Sequence, residues 1–233
     1  MSMNLDHIAG YEIGSAQLLT SEQKKEILSI IQNPLQRQHQ SLEGRASVRH
    51  ADVQGLGKIV VKSYRRGGLL RYFVSSYYIR YGQSRAYQEF DLMNQFRALG
   101  GHAPEPLCYV NLGSLFYRTW LVTREVETHY TLAQLSRHAP ELVHQAVQNL
   151  VRQVNLLIEH KIFHVDLHPG NVLVQQTGAV YLVDFDKAHR YLGNAHSLRQ
   201  QYLRRWRRAV IKHELPDDLS ELFCGGILTS SHD

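Results

Sequence analysis

The most informative segment of the sequence is His164-Val165-Asp166-Leu167-His168-Pro169-Gly170-Asn171, and Asp184-Phe185-Asp186 follows 13 residues after Asn171. The spacing H-x-D-x-x-x-x-N before a strand, a turn and a second acidic motif is typical of phosphoryl-transfer sites. Such a site needs a carboxylate near the attacking hydroxyl and oxygen ligands for Mg²⁺. We therefore interpret Asp166 as a candidate base, and Asn171 and Asp184 as candidate Mg²⁺ ligands. The alternative is an ordinary loop in which these residues only form turns.

A candidate phosphate-binding pair lies upstream of this segment. Lys62 ends a strand after Val60 and Val61, and Glu89 follows 27 residues later on the apolar stripe of a helix predicted from Ser84 to Leu99. A buried carboxylate needs a partner, and a strand lysine that also contacts nucleotide phosphates provides one. Alone, the pair is weak evidence, since a lysine after two valines is usually a strand-end charge. The downstream motif favours the functional interpretation.

The predicted phosphate-covering loop contains a single glycine, Gly44, in Glu43-Gly44-Arg45-Ala46-Ser47-Val48. Backbone N–H groups near Ser47 could approach phosphates, but a plain hairpin turn explains the same residues equally well.

The remaining pattern predicts strands before helices. Short apolar runs over 42–64, 107–111 and 116–122 indicate antiparallel strands, and 172–174 and 180–183 indicate a hairpin around Thr177-Gly178. Helices are expected over 141–160 and about 197–213. His164 is expected to anchor its loop, while His129, His138 and His144 lack metal-ligand spacing.

Composition narrows the class of protein. With 233 residues, 43% of them apolar, the chain can bury a large core, which excludes disordered and collagen-like classes. No apolar run spans a membrane and no secretory signal is recognisable, so a cytoplasmic location is expected, with Cys108 and Cys224 reduced. The net charge of +5 favours an anionic partner.

Two acid-free segments carry much of the positive charge. The first lies between Lys62 and Gln88 and interleaves basic residues with tyrosines, and the second lies on the last predicted helix. Such segments suit an amphiphile with phosphate or carboxylate groups at an anionic membrane surface. The alternative is a solvated basic loop. A sequence-specific DNA reader would need a recognition helix in a known context, and none is evident, so no nucleic-acid partner is predicted.

Four short segments together resemble the lipopolysaccharide kinases of Gram-negative bacteria, a branch of the protein-kinase-like superfamily. They are Tyr64-Arg65-Arg66-Gly67-Gly68-Leu69, Arg85-Ala86-Tyr87-Gln88-Glu89-Phe90, His164-Val165-Asp166-Leu167 and Leu182-Val183-Asp184-Phe185-Asp186-Lys187. The resemblance covers roughly residues 42 to 212 and leaves the N-terminal forty residues uninformative.

This resemblance implies an α+β, two-lobed kinase-like fold. An N-terminal lobe of antiparallel sheet with one helix would span 1–123, and a mainly helical catalytic lobe would span 124–233. ATP would bind with its phosphates at Lys62 and Glu89, near Gly44 and Ser47, and with its adenine at a hinge formed by Arg124, Glu125 and Val126. Asp166 would act as base, with Mg²⁺ on Asn171 and Asp184.

The implied acceptor is a hydroxyl of 3-deoxy-D-manno-octulosonic acid (Kdo) on lipid A, at the cytoplasmic face of the inner membrane. Acceptor-site candidates are Arg65, Arg66, His168 and Asp186. Asp186 replaces the glycine of protein kinases, and the 47 residues after it are too few for a peptide-docking platform. No obligate protein partner is predicted. The alternatives are a heptose or aminoglycoside-type kinase, and an inactive kinase-like binding module.

Overall fold

A computed structural model describes residues 3–33, 38–39, 47–64, 78–79, 82–127 and 129–229. Gly44, Arg65 and Arg66, all predicted site residues, lie outside the described residues. The backbone of Ser47 is described as the first residue of a strand.

The described residues form thirteen strands and six α-helices. The strands are β1 (Asn4–Ile8), β2 (Tyr11–Ser15), β3 (Gln38–His39), β4 (Ser47–Val53), β5 (Gly57–Ser63), β6 (Tyr78–Ile79), β7 (Pro106–Leu112), β8 (Phe116–Arg124), β9 (His129–Thr131), β10 (Ile162–Phe163), β11 (Val172–Gln175), β12 (Val180–Leu182) and β13 (His189–Arg190). The helices are α1 (Ser21–Gln32), α2 (Arg85–Ala98), α3 (Leu132–His138), α4 (Val143–Glu159), α5 (Ala195–Lys212) and α6 (Asp218–Thr229). Antiparallel strands dominate the first part and helices the later part, which confirms the predicted α+β class.

The chain divides into two compact units. Unit 1 comprises 1–94 and 105–125, and unit 2 comprises 95–104 and 126–233. The sequence predicted a single boundary between the two lobes, after residue 123. In the structure the last boundary between the units falls after residue 125, and the end of α2, from residue 95, belongs to unit 2. The reason is packing: Phe96 is fully buried with its ring centroid 5.5 Å from that of Phe185, a residue of unit 2.

Unit 1 is built on an antiparallel sheet in the order β1-β2-β7-β8-β5-β4-β3, with β6 paired to β8. Strand β5 lies inside the sheet, between β4 and β8, so Lys62 pairs with Val48 on one side and Leu121 on the other. Successive side chains on a strand point to opposite faces. Val61 therefore enters the apolar core on one face, and Lys62 points to the other.

Helix α1, which the sequence did not predict, covers the Val61 face of this sheet. It begins with a capping box between Thr20 and Gln23 and contributes Ile27 and Ile31 to the core. At its C-terminal end, Arg49 of β4 donates from Nη1 to the carbonyl of Ile30 at 2.6 Å. A guanidinium at this position satisfies an otherwise unpaired helix carbonyl. Helix α2 packs on the opposite face, with the ring centroids of Phe90 and Tyr109 5.6 Å apart.

Unit 2 is organised by α4, whose buried stripe includes Val147, Leu150, Val154 and Leu157. The predicted hairpin forms between β11 and β12, with β9 as a third strand. The predicted helices are confirmed to within about two residues at each end, the usual uncertainty of helix termini. Both cysteines are free and buried. Within the described ranges, no helix has the length and apolar character needed to cross a membrane.

Candidate active site

The predicted Lys62–Glu89 pair forms in unit 1. Lys62 Nζ lies 2.9 Å from Glu89 Oε1 and 2.8 Å from Glu89 Oε2. The carboxylate is almost completely buried, with 2% of Glu89 exposed. A buried carboxylate is costly unless it is paired and hydrogen-bonded, and Lys62 supplies that partner because it occupies the α2 face of β5.

Tyr64 is a third member of this cluster. Its hydroxyl donates to Glu89 Oε2, and its ring centroid lies 5.1 Å from Lys62 Nζ. The residue is 4% exposed. The sequence placed Tyr64 in the basic, tyrosine-rich segment and gave it no role at Glu89, since the kinase-like pattern that pairs Lys62 with Glu89 assigns nothing to a tyrosine two residues after the lysine. Glu89 therefore accepts hydrogen bonds from two side chains that leave the same strand end.

The segment predicted to bind adenine is partly occupied by internal hydrogen bonds. The Arg124 amide donates to the Glu105 carbonyl at 2.8 Å, and the Glu125 amide donates to the Lys58 carbonyl at 2.9 Å. The Glu125 carboxylate lies 3.0 Å from His50 Nδ1. The amides of Arg124 and Glu125 therefore already have hydrogen-bond acceptors within unit 1. Of the three residues predicted to bind adenine, Val126 is the one whose amide stays a predicted donor to the nucleotide.

The Asp166 loop of unit 2 is held to the β11–β12 hairpin through the backbone of Val183. In this hairpin Val172 pairs with Leu182, so Asn171 and Val183, the residues just beyond this pair, lie opposite each other. The Val183 amide donates to the Asn171 carbonyl at 3.1 Å, and the Val183 carbonyl accepts from His164 Nε2 at 3.0 Å. Val183 thus binds both His164, at the start of the loop, and Asn171, at its end, and Asp184 follows it directly in the chain.

Asn171 and Asp184 carry oxygen atoms suited to a hard cation. Asn171 Nδ2 donates to the Asp166 carbonyl at 2.9 Å, which fixes the orientation of the amide and leaves Oδ1 as its acceptor atom. Asp184 has φ +65, in the left-handed region that residues other than glycine rarely adopt. Amide and carboxylate oxygens are the donors that Mg²⁺ prefers. The residues present therefore fit the predicted ion.

His164 is a buried structural anchor of this loop. Burial lowers the pKa of its imidazole below the ordinary value, and the charges of Asp184 and Asp166 only partly oppose that effect. The ring is therefore neutral with its proton on Nε2, directed at the Val183 carbonyl. Its centroid lies 4.6 Å from that of Phe185, the middle residue of the Asp184 motif.

Helix α5 runs alongside the same loop. The Tyr202 hydroxyl accepts from the His164 amide and donates to the Ile162 carbonyl, both at 2.8 Å. One turn later, Arg205 Nη2 lies 3.3 Å from Asp166 Oδ1. The sequence gave Arg205 no role beyond the positive charge of the helix, because 39 residues separate it from Asp166 and only the fold brings them together.

The other predicted acceptor residues lie nearby in the chain. His168 Nδ1 accepts from the Gly170 amide at 3.1 Å, and its ring is stacked on that of His213 with centroids 5.7 Å apart. Gly170 allows this arrangement, since an added Cβ would lie 2.9 Å from the His168 ring. Asp186 is half-buried just after the metal motif.

A strand lysine paired to a helix glutamate, together with the Asp166 loop and the Asp184 motif in an α+β chain, is typical of the protein-kinase-like class. The sequence model of the lipopolysaccharide kinase (Kdo/WaaP) family matches residues 34–223. The chain belongs to this family.

Curated relatives of the chain carry the name 3-deoxy-D-manno-octulosonic acid kinase. The protein of Vibrio cholerae serotype O1 is 29% identical over 155 residues, which is 65% of each chain. That of Xylella fastidiosa strain M23 is 30% identical over 135 residues, 56% of this chain and 53% of the relative. That of Photobacterium profundum is 28% identical over 161 residues, 67% and 66% of the two chains. The matches thus span between about half and two thirds of these relatives' length.

Proposed function

We propose that the protein is an ATP-dependent kinase that phosphorylates a hydroxyl of Kdo on a lipid A precursor. The observation that carries this proposal is the junction at Val183, whose amide donates to the Asn171 carbonyl and whose carbonyl accepts from the His164 side chain, directly before Asp184. This arrangement gives the candidate base and the two candidate ligands fixed backbone positions. We take the acceptor, Kdo, from the names of the curated relatives. The V. cholerae relative is similar to this chain over 65% of its length.

In this proposal Asp166 orients the acceptor hydroxyl and accepts its proton. The side chain suits the role because it is 40% exposed and is therefore open to a substrate. The loop beneath it is rigid, since Asn171 holds the Asp166 carbonyl and Tyr202 holds the His164 amide. Catalysis in phosphoryl transfer is largely positioning and electrostatics, and a rigid loop supplies the positioning.

Asn171 Oδ1 and the Asp184 carboxylate would hold Mg²⁺, which when bound neutralises charge on the phosphates being transferred. Lys62 would contact the nucleotide phosphates. Glu89 and Tyr64 hold the lysine in place, because its ammonium is hydrogen-bonded to a carboxylate that Tyr64 also contacts.

The membrane surface is a further part of the proposal, and the exposed stripe of α5 supports it. Five residues on one face of the helix are exposed, at spacings of three and four residues: Arg204, Arg207, Arg208, Ile211 and Lys212. The helix contains no acidic residue. Such a basic stripe with an exposed apolar residue suits the anionic surface on which a lipid A precursor is found.

Flotation with vesicles tests this part. We expect binding to vesicles that contain phosphatidylglycerol and loss of binding when Arg204, Arg207 and Arg208 are all replaced by Gln. The matched control replaces three exposed lysines elsewhere, Lys25, Lys58 and Lys161, by Gln. Equal loss in both triple variants would show an effect of net charge alone and would contradict a role of α5.

The central experiment is mass spectrometry of an acceptor panel incubated with Mg-ATP. The panel contains Kdo-lipid A, a heptosylated core and an aminoglycoside, each with the wild-type protein and with Asp166→Ala. We expect one added phosphate on Kdo-lipid A and a loss of about 10²- to 10⁴-fold in rate in the variant. Transfer only to another acceptor would replace Kdo in the proposal. No transfer to any acceptor, with ATP still bound, would favour the inactive binding module.

A further inference from the structure

The contact between Arg205 and Asp166 is unexpected, because it places a permanent cation on the candidate base. Nη2 of Arg205 lies 3.3 Å from Oδ1 of Asp166, longer than the 2.7–2.9 Å that is typical of a strong charge-assisted hydrogen bond. A guanidinium has five N–H donors in a planar fork. In the described part of the chain, only one of the five has a partner.

The fold gives Arg205 a defined position. Tyr202, one turn earlier on α5, is fully buried and makes two hydrogen bonds to the chain at Ile162 and His164. Just after the C-terminal end of the helix, the ring of His213 is stacked on that of His168. Helix α5 thus follows the loop from residue 162 to residue 168, and Arg205 lies between these two fixed points.

The burial of Arg205 argues against a purely solvated charge. Its side chain is 31% exposed, in contrast to its neighbour Arg204, which is exposed and whose Nε donates to the carbonyl of Gln200 in its own helix. A surface ion pair contributes little to stability, so the pair with Asp166 gives a weak structural reason for a partly buried arginine at this position.

We propose that Arg205 binds the carboxylate of the acceptor sugar acid while Asp166 engages its hydroxyl. This inference rests on the proposed function and specifies how the acceptor is recognised. Because Arg205 contacts the candidate base directly, an anionic group of the acceptor that it binds lies close to the reacting hydroxyl. The carboxylate of a sugar acid meets this condition, and a phosphate on a distant part of the lipid does not.

The test compares three acceptors and four proteins. The acceptors are Kdo-lipid A, the same compound with its Kdo carboxylate converted to a neutral methyl ester, and Kdo-lipid A without its lipid A phosphates. The proteins are the wild type, Arg205→Gln, Arg205→Lys and the control Arg152→Gln, which removes the same charge from an exposed position of α4, away from the basic stripe of α5. The ratio of kcat/KM for acid and ester is the readout, since a merely structural role leaves this ratio unchanged.

We expect the wild type to prefer the acid roughly tenfold to a hundredfold, as for a hydrogen-bonded charged partner. Arg205→Gln should lose that preference because its kcat/KM falls for the acid and not for the ester, with the KM for ATP unchanged. Arg152→Gln should keep the preference. Arg205→Lys, which retains the charge without the fork, should fall between the two.

Four results would overturn the inference. Equal losses on acid and ester in Arg205→Gln would mean that the arginine only positions Asp166. A wild type that phosphorylates the acid and the ester equally would mean that the carboxylate is not recognised. A wild type whose activity falls on removal of the lipid A phosphates, and not on esterification, would mean that Arg205 binds a phosphate of the lipid. A wild type that phosphorylates none of the acceptors refutes the proposed function, and the inference with it.

Discussion

The two units hold their candidate functional groups in different ways. In unit 1, Glu89 is 2% exposed and is held by the side chains of Lys62 and Tyr64. In unit 2, the side chain of Asp166 is 40% exposed. Its loop is held instead through backbone groups: the Val183 amide donates to the Asn171 carbonyl, and the Asn171 side chain donates to the Asp166 carbonyl.

This difference separates stability from activity. Removing one member of a buried ion pair leaves an uncompensated charge, so a substitution of Lys62 or Glu89 should destabilise unit 1 as well as impair phosphate binding. Removing the exposed side chain of Asp166, whose loop is held by other residues, should leave the fold intact. We expect the two clusters to respond oppositely when stability and activity are measured together.

The largest expected effect is the loss of stability in Glu89→Ala. We expect the free energy of unfolding of unit 1 to fall by about 3 kcal/mol, because Lys62 loses its buried partner. Asp166→Ala should change stability by less than about 1 kcal/mol, since it breaks only a half-exposed pair. Urea unfolding followed by tryptophan fluorescence measures both, as Trp120 lies in unit 1 and Trp206 in unit 2.

The control for this comparison is Glu105→Ala. Glu105 is also a glutamate of unit 1, but its pair with Arg124 is half-exposed, with 36% of the Glu105 side chain accessible. It should therefore behave like Asp166→Ala. A Glu89→Ala variant that unfolds at the same urea concentration as Glu105→Ala would show that the buried pair contributes nothing to the fold.

The sequence predicted the elements that carry motifs better than the elements that only pack. The strand of Lys62, the helix of Glu89 and the hairpin before Asp184 were all predicted, because apolar periodicity and polar spacing coincide there. Helix α6 was missed, since it contains Gly225 and Gly226, which weaken the helical signal. The structure shows a packing reason for one of them: a Cβ at Gly226 would lie 2.8 Å from Val151 of α4.

The N-terminal elements were missed for a related reason. Strand β1 has an apolar residue at Leu5 that is 51% exposed, so its pattern does not indicate a buried face. Within the candidate site, Tyr64 and Arg205 were not assigned roles, because neither belongs to a known motif and each contacts a residue far away in sequence. The equally distant Lys62–Glu89 pair was predicted because it matches a known pattern, whereas only the fold shows which other side chains contact the motif residues.

The second prediction concerns pH and the neutral His164. Burial lowers its pKa in the folded state, while in the unfolded chain it returns to the ordinary value near 6.5. Below that pH the unfolded state binds more protons than the folded state, so the stability of unit 2 falls as the pH is lowered. The slope due to this residue is up to about 1.4 kcal/mol per pH unit.

The variant His164→Gln isolates this contribution. It keeps a donor for the Val183 carbonyl but does not titrate, so its stability should decline less steeply below pH 6.5 than that of the wild type. His196→Gln, at an exposed position of α5, serves as the control. If the free energies of unfolding of the wild type and His164→Gln fall in parallel between neutral and acidic pH, the prediction that His164 is neutral in the folded state is wrong.

The smallest expected effect is that of Tyr64→Phe, which removes one hydrogen bond from Glu89 and leaves the Lys62 contact. We expect a loss of about 1 kcal/mol in the stability of unit 1, within the range for a single hydrogen bond, and a several-fold rise in the KM for ATP with the KM for the acceptor unchanged. Tyr11→Phe is the matched control, since Tyr11 is buried in the same unit but its hydroxyl has only a 3.5 Å contact with Gln32. If both variants change the KM for ATP equally, the Tyr64 hydroxyl does not hold the Lys62–Glu89 pair. A change confined to Tyr64→Phe would instead show that a side chain outside the predicted motif sets the position of the lysine.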